Sequence, residues 1–390
     1  MKLAAIYSHP VQYTAPLFRE LANRPGVDLM VYFLSRHGLE VSYDPMFGKA
    51  FKWDIPLLDG YPHQFVPNVG KDSGVGGFFK LRNLALVDRL RLARHDAVLI
   101  HGYEHFAKWP AFAAAKSVGT RIVFHGESHL NEPRTALRTA VKSVLLRSLF
   151  RSFDAFGYIG TLNREYFEHY GVPADKLHLT PYTVDNDFFA TKVREAKPRR
   201  AEIRAMLGIT DSAPIILWTA KLTEVKQPEL MLRAFAKVRR GRPCHMLFVG
   251  DGALRPRIEA LVASENIPDV KITGFVNQSR IPEMYAVGDI FAMPSLREPW
   301  GLSVNEAMSA GLPVVVSDRV GSSLDLVEQG RNGFIVPFDS VDPLATRLDQ
   351  LVKDDALRQS FSKRSLEIIS RWSVRETADG ILAAARGDAK

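Results

Sequence analysis

The sequence predicts an α/β chain of two doubly wound parallel-sheet domains, and three observations predict it. Short apolar runs rich in Val, Ile, Leu and Phe recur about every 20 to 30 residues. Segments of helical period separate them, so the pattern is βα repeated. A polar, basic stretch near residue 190 then divides the 390 residues into halves of similar size, each long enough to bury its own core.

In the first half the runs are LAAIY, DLMVYFL, DAVLIH, RIVFH and DAFGYIG, several ending on a His or Gly where a strand would pass into a loop. In the second half they are IILWT, HMLFVG, VKITG, IFAMP, PVVVS and GFIV. Continuous apolar runs suit parallel strands buried on both faces. Between the halves lies FFATKVREAKPRRAEIRAML, basic and almost without an apolar run, which reads as the linker. The cleft between two such sheets, at the carboxyl ends of the strands, is the expected ligand site.

Composition narrows the class. With 46% hydrophobic and 24% charged residues, and 27 Gly and 23 Pro scattered rather than clustered, disorder, collagen and coiled coil are excluded. No run approaches the roughly 18 apolar residues of a membrane span, and the N-terminus lacks a secretory pattern, so a cytoplasmic protein is expected. Cys244, the single cysteine, cannot form an internal disulfide and reads as an apolar filler beside HMLFVG. No Cys/His cluster has zinc spacing. Fifty-one Lys and Arg against 43 Asp and Glu give a net charge of +8, which favours anionic partners: nucleic acid, phosphorylated small molecules or an anionic membrane face.

The chemistry concentrates in PSLREPWGLSVNEAMSAGLPVVVSD, residues 294–318. Glu298 and Glu306 stand eight apart. Pro299 disfavours helix at Glu298, whereas Gly301 to Gly311 has helical character, so Glu298 belongs on a loop and Glu306 one to two turns inside a helix. Both can then face one ligand. The free N–H groups at the start of that helix, around Gly301, Leu302 and Ser303, suit a phosphate or a sugar oxygen, and Gly301 allows close approach. Carboxylates repel phosphate but accept hydroxyl hydrogen bonds well, so a nucleotide-sugar satisfies both features. Lys221 and Lys226, after the strand IILWT, could clamp its diphosphate, and Gly250 and Gly252 in FVGDG permit a tight turn toward the same face.

The E-x7-E segment REPWGLSVNEAMSAGLPVVVSD, the AKL…K segment, VGDG and KITGFVNQSRIPEMYAVGDIFAMPS together resemble family 4 of the glycosyltransferases, retaining sugar-nucleotide enzymes of the GT-B fold, over residues 155–372. The terminal RWSVRETADGILAAAR resembles that family's last helix, which crosses back to the N-terminal domain. The resemblance implies an acceptor domain over 1–190, a donor domain over 191–371 and a returning helix over 372–390. It implies that Lys221 and Lys226 hold the donor diphosphate and that Gly250 lies on the same face. Glu306 would take the ribose hydroxyls. Glu298, with backbone from Trp300 through Gly301 and Leu302 to Ser303, would hold the transferred sugar, while Phe275 and Val276 would meet the nucleobase. His125 in FHGES matches an active-site His; Glu127 and His129, two and four residues on, read equally as acceptor contacts and as loop polarity. The implied donor is a nucleotide-sugar, UDP-linked; the implied acceptor is a glycan, a lipid-linked or a small molecule; no prosthetic group or metal is expected.

The sequence departs from the family at three places: Lys221 stands where Arg is common, SHPVQYTAP replaces a Gly-rich first turn, and PYTVD replaces PNGVD. His9, Gln12 and Tyr13 are expected to substitute side chains for the missing backbone donors. His125 reads equally as a strand-end His held by a backbone group. Asp185-Asn186-Asp187 mimics a metal-binding D-x-D, but Phe188 and Phe189 follow in a segment resembling the interdomain hinge. Trp372 reads as a core or docking contact rather than a substrate platform. Arg134, Arg138, Lys142, Arg147 and Arg151 lie on one basic helix and suggest peripheral membrane contact, although at about 100° per residue they split between two sides. The alternatives to a transferase are a GT-B epimerase acting on a UDP-sugar and a non-catalytic basic binding protein on the same fold. The latter lacks the aromatic-and-basic strand pattern of an RNA reader. Sugar, linkage and oligomeric state leave no sequence signal.

Overall fold

The apolar runs become strands, and the segments between them become helices that cover both faces of two parallel sheets. The computed structural model describes residues 1–44, 48–70, 75–130 and 136–388; for residue 42 and residues 136–141 it describes the backbone alone. Its strands, in chain order, are β1 Lys2–Tyr7, β2 Asp28–Phe33, β3 Ser42–Asp44, β4 Lys49–Phe51, β5 His63–Phe65, β6 Ala97–His101, β7 Arg121–His125, β8 Ala155–Tyr158 and β9 Leu177–Leu179. They continue with β10 Ile215–Thr219, β11 His245–Val249, β12 Val270–Ile272, β13 Ile290–Met293, β14 Val314–Ser317 and β15 Gly333–Val336.

The chain forms two compact units. Unit 1 comprises Met1–Ser42, Ile55–Tyr182 and Val374–Lys390; unit 2 comprises Tyr43–Asp54 and Thr183–Ser373. Unit 2 thus begins at 183 rather than 191, and it takes in a twelve-residue excursion from the first half that the sequence gives no sign of.

The seven-stranded sheet of unit 1 has the order β5-β2-β1-β6-β7-β8-β9, and the pairings are parallel. Alternation along β1 shows why the run is apolar throughout. Leu3, Ala5 and Tyr7 face one core with Phe18 and Leu21 of the helix Thr14–Ala22, whereas Ala4 and Ile6 face another with Leu86, Leu90, Phe124 and Phe150. The terminal helix Val374–Arg386 closes the first of these cores with Ala378, Ile381 and Leu382. Burying Ile381 and Leu382 is worth roughly 1.5–3 kcal/mol each, which helps to hold a helix of thirteen residues that would be marginal alone.

The six-stranded sheet of unit 2 has the order β12-β11-β10-β13-β14-β15, again parallel. Numbered within the unit this is 3-2-1-4-5-6, so the strand order reverses between β10 and β13, and a ligand is expected outside their carboxyl ends. Trp218, Phe235, Phe248, Phe334 and Phe361 fill one core. Cys244 sits among them, buried, its thiol pushed up to about 12 by burial, as a filler should.

The stretch read as a linker is not one. It forms the helix Asn186–Ala196, a short 3-10 turn and the helix Arg200–Met206, all within unit 2. Phe189, Val193, Ala196 and Ile203 are buried from it, one apolar residue per turn, against the helices Ile281–Val287 and Leu302–Ser309. The D-x-D of that stretch is a helix start: the Asp185 carboxylate accepts the Phe188 N–H at 2.9 Å, and the Asn186 amide donates to the carbonyls of Ile369 and Trp372, each at 3.0 Å.

Arg134 and the side chain of Arg138 lie outside the described residues. Further along the helix Ala136–Arg151, Lys142 lies over the Tyr166 ring, Arg147 donates to the His169 carbonyl, and Arg151 is exposed. Among the described residues no helix is long and apolar enough to cross a membrane.

Candidate active site

The carboxyl ends of β10 and β13 carry the predicted donor residues. After β10 the chain passes through Lys221 to a 3-10 turn, Glu224–Lys226, and then the helix Pro228–Gly241. Gln227 joins the two at φ 52°, and its side-chain amide donates to the Pro294 carbonyl after β13 and to that of Phe338, tying the two loops together. Leu296 N–H donates to the Val225 carbonyl at 2.8 Å, a second tie. The result is direct: the Lys226 ammonium forms an ion pair with Oε2 of Glu298. Burial, and then the neighbouring Lys221 ammonium, push Lys226 down to about 8.

Glu298 lies on a loop, as Pro299 dictates, and that loop is fixed by backbone. Its N–H donates to the Arg319 carbonyl, while Gly321 and Ser322 donate to the carbonyls of Glu298 and Trp300. Gly301, at φ 96°, caps the helix Leu302–Ser309, and a Cβ there would meet Met293, Val320 and Glu298 at 3.1–3.2 Å. Only glycine fits both conditions. Leu302 and Ser303 open the helix, and Glu306 lies just over one turn inside it, as its position predicts. It is buried, and its Oε2 accepts the Tyr285 hydroxyl at 2.6 Å; that hydroxyl lies 3.0 Å from the Thr219 Oγ1. The Trp300 side chain turns inward, donating to Asn305 and lying 5.3 Å from the ring of Trp372, which is half-buried.

Gly250 and Gly252 act on this site through Lys221. A Cβ on Gly250 would fall 1.9 Å from the Ala220 carbonyl oxygen, and one on Gly252 would fall 2.6 Å from that of Leu222. The two glycines let the β11 turn press against the residues on either side of Lys221. Gly250 N–H also donates to the Gly274 carbonyl at 3.0 Å, next to Phe275 and Val276. The turns carrying Lys221 and Phe275 are therefore linked through one glycine.

Sequence reasoning missed four groups here. Asp44 pairs with Lys221, Nζ to Oδ2 at 2.9 Å; Phe51 lies against Phe275 with ring centroids 4.4 Å apart; Tyr285 holds Glu306; Gly321 accommodates the Glu298 loop. Gly321 alone left a signal, the glycine of DRVGSS, where Ser323 N–H donates to the Val320 carbonyl at 3.0 Å across a turn.

Unit 1 brings its own candidates together outside the ends of β1, β6 and β7. His125 ends β7, is 3% exposed, and neither ring nitrogen has a hydrogen-bond partner. The reading of it as a strand-end His held by a backbone group therefore fails. Burial, and then His101, depress it to about 3, against the pull of Glu127, so it is neutral near pH 7. Its ring lies 5.3 Å from that of His101, which stacks on Tyr7 at 4.8 Å and meets the Glu127 carboxylate at 3.2 Å. Burial pushes Glu127 up, but hydrogen bonds from His101 and Tyr182 outweigh it and hold the carboxyl below its usual range.

His9 follows β1, with Nδ1 2.9 Å from the Ser8 hydroxyl and its ring 5.2 Å from His37; burial, then His37, depress it to about 4. Gln12 and His129 are buried, and Tyr13 is half-buried. Among the described residues no group of three or more His, Cys, Asp or Glu could hold a metal ion.

Residues 199–367 match the family described as glycosyl transferases group 1. An alpha-D-kanosaminyltransferase of Streptomyces kanamyceticus is 31% identical over 211 residues, 53% of this chain and 53% of its own length. The sulfoquinovosyl transferase SQD2 of Arabidopsis thaliana is 28% identical over 304 residues, 75% of this chain and 58% of its own. The chain thus spans little more than half the length of these relatives. The solved structure of Anabaena Alr3699/HepE in complex with UDP and glucose superposes with a TM-score of 0.71 at 18% identity, over 99% of each chain. That likeness establishes the fold: the chain is GT-B, two units built on parallel sheets.

Proposed function

We propose that the chain, whose residues 199–367 match the glycosyl transferases group 1 family, is a retaining glycosyltransferase. It would move a hexose from a UDP-sugar to a glycan, lipid-linked or small-molecule acceptor, without a metal. The observation that supports this reading is the Lys226–Glu298 ion pair with Lys221 near it at the reversal of strand order in unit 2, where Glu306 reaches the Thr219 end of β10 through the Tyr285 hydroxyl. The UDP bound in Alr3699/HepE supports the choice of nucleotide.

In this reading Lys221, Lys226 and the N–H groups of Leu302 and Ser303 receive the diphosphate. Lys226 then turns from Glu298, whose carboxylate is left for the hydroxyls of the sugar. Glu306 takes the ribose hydroxyls, and the turn at Phe275 and Val276 takes the base. The bond between the anomeric carbon and the phosphate oxygen breaks, and the acceptor oxygen bonds to the same face. Its proton passes to the leaving phosphate oxygen, so UDP departs and the anomeric configuration is kept. The ammonium groups stabilise the charge that builds on the diphosphate. Unit 1 supplies the acceptor side through His9, Gln12, Tyr13 and Glu127, and a neutral His125 meets a sugar hydroxyl through its unpartnered ring.

The test is thermal unfolding of the wild type and Glu306→Ala with UDP, GDP, ADP and no ligand, in the absence of metal. Selective stabilisation by UDP, about 2.7 kcal/mol at a hundredfold excess over the dissociation constant, and its loss in the variant are expected. No shift with any nucleotide would refute the donor site and favour the basic binding protein. Consumption of a UDP-sugar with no acceptor present would favour an epimerase.

A further inference from the structure

Tyr43–Asp54 is flanked on both sides by unit 1 residues, yet its contacts lie on the donor turns of unit 2. Three separate anchors hold its described residues there. The Asp44 carboxylate sits on the Lys221 ammonium at 2.9 Å. The Phe51 ring lies on Phe275, and Trp53 meets Phe51 edge-on at 5.2 Å. Beyond them, the Lys52 carbonyl accepts the Asn277 amide at 2.8 Å, and the Asp54 carboxylate accepts the N–H of Ser279 at 2.9 Å together with its hydroxyl. A carboxylate on the diphosphate lysine and an aromatic ring on the base-side turn are the two chemistries a nucleotide would bring to the same two places.

We infer that Asp44 and Phe51 are an internal occupant of the donor site, and that a nucleotide enters by displacing them. The inference rests on the donor site proposed above. A diphosphate carries more charge than one carboxylate and prevails at Lys221. The Asp44–Lys221 pair is about a quarter exposed at each end, so its loss changes affinity by a modest factor. The anchors at Asn277 and Ser279 hold Lys52 and Asp54, which follow Asp44 and Phe51 in the chain, and can keep the segment nearby after those two yield.

The experiment is calorimetric titration of UDP and of inorganic pyrophosphate into the full chain, as wild type, Asp44→Asn, Phe51→Ala and the double variant, with melting temperatures as a check on folding. Asp44→Asn should tighten both ligands about two- to fivefold, because both need Lys221. Phe51→Ala should tighten UDP alone, because pyrophosphate has no base. Emission from Trp53, isolated as the difference from Trp53→Phe, should shift when UDP binds. Wild type that binds UDP while both variants bind it with unchanged affinity would overturn the inference and spare the donor site. Weaker UDP binding by Phe51→Ala would also overturn it, making Phe51 a wall rather than an occupant. No binding even by the double variant would refute the donor site and the inference together.

Discussion

Replacing Gly321 by alanine should damage the donor site by driving a methyl group into the backbone of the Glu298 loop. A Cβ on Gly321 would lie 1.8 Å from the Pro299 carbonyl oxygen and 3.1 Å from the Trp300 Cα, where Cβ atoms essentially never approach within 3.0 Å. One backbone must retreat by about 1.2 Å. The retreat cannot be absorbed locally, because Gly321 and Ser322 also donate to the carbonyls of Glu298 and Trp300 at 2.9 and 3.0 Å. Overpacking of this kind costs about 1–3 kcal/mol, and a displacement near 1 Å at a reacting group costs about 10²-fold in rate. Urea unfolding should show the stability loss, and calorimetry should show UDP binding weakened at least tenfold as Glu298 and its partner Lys226 shift together. Gly241→Ala is the control, since nothing lies within 4 Å of the added carbon. A Gly321→Ala variant as stable as Gly241→Ala, binding UDP like wild type, would refute the claim that this backbone pairing sets the site.

Four further outcomes follow from the same geometry. Lys226 loses its proton above about pH 8, so UDP affinity should fall as pH rises past that value, by up to about tenfold per unit, and Lys226→Arg should flatten the profile; a pH-independent wild type contradicts the assignment. His125, depressed from 6.5 to about 3, is protonated in the unfolded chain before the folded one, so its contribution to stability is full above pH 6.5 and lost as pH falls toward 3. His125→Phe should reduce the slope of stability against pH in that window by up to about 1.4 kcal/mol per unit, and an unchanged slope contradicts a neutral buried ring. Gly250→Ala should weaken pyrophosphate binding by moving the Ala220 carbonyl beside Lys221, measured by calorimetry; unchanged binding would show that the turn is not set there. Asn186→Ala, which strips hydrogen bonds to Ile369, Trp372 and Ser309, should lower stability by about 1–3 kcal/mol in urea, an effect a flexible linker would not produce.

Long strands were legible in the sequence because both their faces are buried, so β1, β6, β7, β10, β11 and β14 read as uninterrupted apolar runs. Strands β3, β4, β5 and β9 have three residues each, too few for any period to register, whereas β12, equally short, was read because it lies within the run VKITG. The false linker has a different cause: Phe189, Val193 and Ala196 give one apolar residue per turn amid many charges, and such a stripe is read only when its spacing is counted rather than its hydrophobicity summed. Within the site, Lys226 and Glu298 were legible by chemical type and by their neighbours Pro299 and Gly301. Asp44 was not, because 177 residues separate it from Lys221, and neither residue carries a mark of the other. Tyr285 was hidden in the same way: an apolar helix position cannot reveal that its hydroxyl meets a carboxylate 21 residues on.

Crystals of the full chain grown with UDP and without metal test most directly where a nucleotide binds. The predicted density puts the diphosphate within hydrogen-bonding distance of Lys221 and Lys226, the ribose on Glu306 and the base on the turn at Phe275, with Asp44 displaced from Lys221. UDP ordered anywhere else on the chain, or bound while Lys221 still holds Asp44 and Lys226 still holds Glu298, would contradict it.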